Sequence, residues 1–260
     1  MDLELKEARF LVSGGTRGIG KAIVTALLQE GCRVSTCGRS SDSLDSLASE
    51  LNAHHGDSLK TYQVDISNHS SVEQWVNESA SLWGGIDGIV VNASAMVTGS
   101  DLEGWKQMLD SDLLGNIQFV TSAIPQLAHS DHASITFINS TASVESAVDV
   151  MGGNNVAPYG SVKASLLHFA SMLSTQLAPE GIRVNSVSPG PVEFSGGVWD
   201  NIRQHNPPVY NAMKERCRIG RMGRPSDVSN AVLFLASPAA SFITGSNLVV
   251  DGGATRRVQF

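Results

Sequence analysis

The chain predicts a doubly wound α/β fold, with a parallel sheet of about seven strands and helices on both faces. Two patterns point to it. Short apolar or β-branched runs alternate with longer amphipathic stretches from one end to the other, and the runs are near-continuously apolar, as strands buried on both faces are. A third observation is size. At 260 residues and 42% hydrophobic, the chain has enough apolar material for one large core, so 1–260 is read as a single domain. Right-handed crossovers between parallel strands then carry the helices onto both faces.

The elements follow in order. A strand over 10–13 runs into a glycine-rich turn and a helix over 20–30. A strand over 34–37 precedes a helix over 43–54, and one over 61–64 precedes a helix over 72–83. The fourth strand, 88–92, leads to a long helix over 102–128, and the fifth, 135–139, to another over 159–178. The sixth covers 184–188, a helix spans 227–237, and the last strand is 247–250. Between 192 and 225 the rhythm breaks, with Gly196-Gly197 and Pro207-Pro208 in a loosely helical insertion. It directly follows the carboxyl end of a strand, where open α/β sheets bind ligands, so it is read as a lid over a substrate site. No internal repeat or low-complexity linker interrupts the chain.

Composition excludes several function classes. The net charge is -7 with the two signs interspersed, which argues against a nucleic-acid surface but leaves room for a small anionic ligand held by one or two arginines. Cys32, Cys37 and Cys217 have neither disulfide nor zinc spacing, and no metal site is expected. The charged start resembles no secretory leader and no apolar run is long enough for a bilayer, so a cytoplasmic protein without membrane partners is the expectation. The seven histidines are scattered, and four tryptophans show no base-stacking arrangement. Trp199 and Tyr210, in the lid, are the aromatic residues placed to meet a substrate.

Ser13-Gly14-Gly15-Thr16-Arg17-Gly18-Ile19-Gly20 links the first strand to the first helix. Glycines there allow a tight turn and close approach of backbone to a pyrophosphate, and the helix N-terminus offers N–H groups and a positive dipole end. A structural turn would use the same residues; the place between strand and helix favours a dinucleotide. Gly14, Thr16, Arg17, Gly18, Ile19 and Gly20 are therefore cofactor candidates. The second strand ends at Cys37-Gly38-Arg39-Ser40 without the acidic residue that an NAD ribose hydroxyl would take. Arg39, with Arg17, is placed to hold a 2′-phosphate instead, and the expected cofactor is NADP(H), with Ser40 beside it.

Tyr159-Gly160-Ser161-Val162-Lys163 opens a helical pattern, and residues four apart share a helix face. A lysine charge beside the phenol favours phenolate, and a tyrosine so tuned exchanges a proton with a carbonyl or alcohol oxygen. The same spacing arises often by chance on a surface. Ser140, at the end of the fifth strand, is placed to hydrogen-bond the reacting oxygen, although strand-end serines mostly cap turns.

These motifs, taken in order, resemble the short-chain dehydrogenase/reductase family over nearly the whole chain, with its single-domain, Rossmann-type fold. The shared pieces are Gly14-x-x-x-Gly18-Ile19-Gly20, Asp65, Asn92-Ala93, Ser140, Tyr159-x-x-x-Lys163, Pro189-Gly190-Pro191-Val192, the segment from Gly220 to Pro225, and Asp251-Gly252-Gly253. The resemblance implies hydride transfer between nicotinamide and a carbonyl or secondary alcohol of a small organic substrate. It also implies contacts of Lys163 with the nicotinamide ribose, of Asp65 and Ile66 with adenine, of Asn92 near the adenosine ribose, and of Pro189 to Val192 with the nicotinamide, with Ala93 a further cofactor residue. Family members are commonly homo-oligomers, tetramers or dimers, built partly on the two long helices; Leu166, Leu167, Phe169, Ala170 and Leu173 are candidates for such an interface.

Three departures stand out. Ser94 replaces a family glycine. Asp112 stands where the family has an asparagine that holds a relay water through its backbone carbonyl, and its charge near Tyr159 opposes phenolate formation. The stretch between Ser140 and Tyr159 is long, with extra residues around 148–155. Ser143 and Ser146 there compete with Ser140 for the carbonyl; Ser140 is preferred because it ends the strand. The departures leave two alternatives: a non-redox step such as dehydration or epimerisation on the same scaffold, or a non-catalytic NADP-binding protein.

Overall fold

The computed structural model describes residues 2–96, 101–145 and 157–256. Seven parallel strands form one sheet in the order β3-β2-β1-β4-β5-β6-β7. They are β1 (Arg9–Ser13), β2 (Arg33–Gly38), β3 (Leu59–Gln63), β4 (Gly88–Val91), β5 (Ser134–Ile138), β6 (Arg183–Pro189) and β7 (Asn247–Val250). Each lies within two residues of the stretch the sequence predicts. The order reverses between β1 and β4, so a crevice opens at the carboxyl ends of these two strands.

One face of the sheet is covered by α1 (Gly18–Gln29), α2 (Ser41–His55) and α9 (Pro225–Ala236). Ile23, Val24, Leu27 and Leu28 of α1 are buried there with Val228 and Val232 of α9. The other face carries α3 (His69–Trp83), α5 (Asn116–Leu127) and α6 (Ala157–Leu177). Trp75 and Phe119 stack between α3 and α5 with centroids 4.9 Å apart. The Trp75 indole N–H, which would be costly to bury alone, donates to Ser35 Oγ at 2.8 Å.

At the lower, amino-terminal edge of the sheet an ionic clamp joins neighbouring segments. Asp87, just before β4, accepts from Arg9 Nε and Nη2 at 2.7 Å each, from the Arg9 backbone N–H at 2.8 Å and from Ser130 Oγ at 2.8 Å.

Two elements differ from expectation. The predicted helix over 102–128 is α4 (Leu102–Met108), then a π-helical segment (Leu109–Gly115), then α5. The three segments follow one another without a break, so apolar periodicity does not reveal the wider turn. The expected lid is more regular than predicted, holding α7 (Val198–His205) and α8 (Pro207–Arg216). Its two ends are pinned together, since Gly223 N–H donates to Pro191 O and Glu193 N–H donates to Gly223 O, both at 2.9 Å. The interface expectation on α6 is corrected in part. Leu166, Ala170 and Leu173 are buried in the chain's own core, and Phe169 packs edge-on against Phe137.

Candidate active site

The crevice holds a cavity of about 470 Å³ lined by the residues that follow β1 to β6 and by the lid. That size suits a small-molecule or cofactor site. At one flank lie Gly14, Thr16, Arg17, Ile19 and Gly20 after β1, Arg39 after β2, and Asp65 and Ile66 after β3. Gly14 has φ +71°, and a methyl on Gly20 would run into the Gly14 carbonyl oxygen, so this turn demands glycine. Arg17 precedes α1 but its side chain makes no cap hydrogen bond. The first-turn N–H groups of α1 thus have no side-chain acceptor, and with the glycine cradle they fit an anionic pyrophosphate.

Arg17 and Arg39 are exposed at this flank. Asp65 accepts from the Ser67 N–H at 3.0 Å and Ser67 Oγ at 2.8 Å. Burial alone would raise its pKa, but those donors and the Arg39 charge hold the carboxyl below its usual range. Asn92 ties β4 to the glycine turn, its Nδ2 donating to Ser13 O at 2.9 Å and Gly14 O at 3.0 Å. Asn92 and Ala93 also line the cavity.

Not every predicted cofactor residue faces the cavity. Ser40 caps α2 by accepting from the Ser43 N–H at 3.3 Å and is absent from the lining. Gly18 lies beneath the Phe194 ring, and Phe194, which the sequence did not single out, takes its place in the wall. Cys37 also lines the cavity, but burial pushes its thiol up to about 12, so it is no thiolate nucleophile.

At the centre, Ser140 after β5 and Pro189 and Val192 at and just after the end of β6 come together with Tyr159 and Lys163 of α6. Lys163 is 3% exposed. Its Nζ donates to Ile138 O at 2.9 Å and lies 5.9 Å from the Tyr159 ring centroid. Burial lowers the lysine pKa and the Asp112 charge works against that. Burial pushes the Tyr159 phenol up to about 12; a hydrogen bond from Ser140 pulls it down and the Asp112 charge pushes it further up. Ser140 Oγ also accepts from the Ala142 N–H at 3.1 Å. Ser143 Oγ donates to Ser140 O at 2.6 Å, which turns it to the backbone. Ser146 and the expected insertion around 148–155 lie outside the described residues.

Asp112 sits in the π-helical segment, fully buried behind the cavity wall. Its Oδ1 accepts from the Ala95 N–H at 2.7 Å and Ser111 Oγ at 2.8 Å, while Oδ2 has no partner among the described residues. The Asp112 carbonyl accepts from Asn116 Nδ2 at 2.7 Å, and the same amide donates to Ala93 O at 3.0 Å. Asn116 escaped the sequence reading; its one signal is the spacing of four from Asp112 on a shared face. In the lid, Trp199 lines the cavity, whereas the Tyr210 hydroxyl donates to Glu193 Oε2 at 2.6 Å and stands outside the lining. Glu145 and Arg216 complete the far flank. Among the described residues no cluster of metal-ligating side chains occurs and no helix is long and apolar enough to cross a membrane.

Comparison with known proteins agrees with this geometry. The sequence model of a family described as enoyl-(acyl carrier protein) reductase matches residues 14–255. The chain is 37% identical over 258 residues to an isoepoxydon dehydrogenase of Penicillium expansum, covering 98% of each chain. It is 30% identical over 259 residues to a 3-oxoacyl-[acyl-carrier-protein] reductase of Aquifex aeolicus, covering 97% of this chain and 99% of the relative. An NADPH-bound short-chain oxidoreductase of Pseudomonas aeruginosa, described as containing an atypical catalytic centre, superposes with a TM-score of 0.87 at 26% identity, covering 97% of this chain and 98% of that one. With the family shown along almost the full length of the sequence, the chain belongs to the short-chain dehydrogenase/reductase family of oxidoreductases.

Proposed function

We propose that the chain is an NADP(H)-dependent oxidoreductase acting on a carbonyl or secondary alcohol of a small organic substrate, with Tyr159 as general acid/base. The observation that carries this reading is one cavity that joins an anion-binding helix end to the Ser140–Tyr159–Lys163 group. When bound, the nicotinamide supplies or accepts the hydride. Gly14, Thr16, Ile19 and Gly20 form the cradle for its pyrophosphate, and Arg17 and Arg39 the clamp for a 2′-phosphate. Asp65, Ile66, Asn92 and Ala93 take the adenosine end; Pro189, Val192 and Lys163 take the nicotinamide end. The NADPH complex of the Pseudomonas relative supports that cofactor choice.

With its phenol near 12, Tyr159 is protonated at neutral pH and ready to donate to a carbonyl oxygen as it gains negative charge. The Ser140 hydroxyl holds that oxygen beside the phenol. The Lys163 ammonium stabilises the phenolate left after transfer. Asp112 anchors the Ala95 segment and, through its charge, holds the proton on Tyr159 and Lys163. Exposed Leu114 and Met172 near the two long helices support packing against another copy.

The test is NADPH absorbance during incubation with a panel of ketones, together with the Tyr159→Phe variant. We expect ketone-dependent oxidation in the wild type, a loss of roughly 10²–10⁴ in kcat/KM in the variant, and retained NADPH binding. Turnover without net cofactor oxidation would overturn the redox reading, and an unimpaired variant would overturn the role of Tyr159.

A further inference from the structure

We infer that Arg216 and Glu145 form a polar subsite at the far end of the substrate chamber, selecting a carbonyl compound that carries a second, uncharged hydroxyl. The inference deepens the proposed function and rests on it for the reacting end of the chamber.

Sheet order places the pair. Arg39 and Asp65 follow β2 and β3 on one flank, whereas Glu145 lies in the segment after β5, and Arg216, on α8 of the lid, is tied to Ala254 after β7. The cavity therefore runs from the cradle past Tyr159 to these two residues. Trp199 and Met213 pack with Ala254 beside Arg216, and Met96, Ala142 and Val198 add further apolar surface to the cavity wall. An ion pair in such a wall needs a reason, because partly buried charges are costly to desolvate and an apolar pair would close the lid equally well.

The geometry supplies one. Arg216 Nη2 donates to Glu145 Oε1 across 71 residues of sequence, and Arg216 Nε donates to Ala254 O at 3.2 Å. The side chains are 27% and 31% exposed. A guanidinium has five N–H donors and a carboxylate about four acceptor positions, so among the described residues these bonds leave donor and acceptor capacity side by side. A hydroxyl matches both, accepting from Arg216 while donating to Glu145. A carboxylate ligand would meet the Glu145 charge. A plain hydrocarbon would strip water from the pair and return no hydrogen bond.

The experiment measures kcat/KM with NADPH for cyclohexanone, 3- and 4-hydroxycyclohexanone, and 4-oxocyclohexanecarboxylate. The wild type should prefer at least one hydroxyketone over cyclohexanone by about tenfold or more, as for a hydrogen bond to a charged group, with the carboxylate poorest. In the double variant Arg216→Met/Glu145→Met, which leaves no unpaired charge, the ratio should fall to about one. No hydroxyl preference in the wild type overturns the subsite whether or not the variant folds. An unchanged ratio in a folded variant overturns it too and leaves the pair a latch. If no ketone is reduced, the reductase reading fails on its own. The subsite is then decided by saturation-transfer NMR of cyclohexanol and cyclohexane-1,4-diol on the NADP complex, where equal saturation, or none, overturns it.

Discussion

Replacing Lys163 by methionine removes a buried positive charge from beside the proton-transferring tyrosine. At an effective dielectric of about 20, a unit charge at the 5.9 Å separating Nζ from the Tyr159 ring centroid contributes about 2.8 kcal/mol, roughly two pKa steps or a hundredfold in rate. The sign is fixed, because the ammonium favours phenolate and its loss makes Tyr159 a weaker acid. The expected result is a fall in kcat/KM of up to about a hundredfold for Lys163→Met, measured by NADPH oxidation, and a smaller fall for Lys163→Arg, which keeps the charge. Cofactor affinity is followed separately by NADPH fluorescence, so that a lost ribose contact is not counted as chemistry. A methionine variant within about threefold of wild type would refute the electrostatic role. Equal losses in the two variants would place the function of Lys163 in its bond to Ile138 O instead.

Arg39→Asp should reverse the NADPH over NADH preference, shifting the ratio of kcat/KM values by at least about tenfold; an unchanged ratio removes the clamp. Asp112→Asn keeps an acceptor for the Ala95 N–H but deletes the charge that raises both Tyr159 and Lys163, so the pH–rate profile should move to lower pH with activity retained. A superimposable profile would make that charge irrelevant. Asp87→Asn should cost about 2–3 kcal/mol and lower Tm by several degrees, as read by calorimetry. Burial alone would raise the Asp87 pKa, but Arg9 and Ser130 hold it below the usual range. Its contribution is therefore present above the unfolded value of about 3.9 and lost as pH falls through the folded one; a wild-type advantage that does not shrink at all on acidification would contradict this.

The strands were legible because a sheet covered on both faces writes itself as apolar runs, and the glycine turn because positive φ at Gly14 leaves few other residues. The π-helical segment was hidden, since an extra residue in one turn leaves the apolar stripe almost intact on either side. Tyr159 and Lys163 were readable as a pair because one helix holds both. Glu145 and Arg216 were not, because they meet only through the lid and are 71 residues apart. Phe194 was passed over because nothing local to its sequence says that its ring lies on Gly18. Ser40 was ambiguous in the sequence because a serine after a strand serves a helix cap as readily as a ligand, and the cap is the role its hydrogen bond shows.

The clamp of Arg9, Asp87 and Ser130 separates two tasks in space. It fastens β1, β4 and the approach to β5 at the edge of the sheet opposite the chemistry. Loops at the upper edge can thus be exchanged with little loss of anchorage. Chimeras that graft the 192–225 segment of a relative onto this chain should keep most of their resistance to denaturant while taking on the donor's choice of substrate. Mutational tolerance would then be steeply polarised along the strand axis.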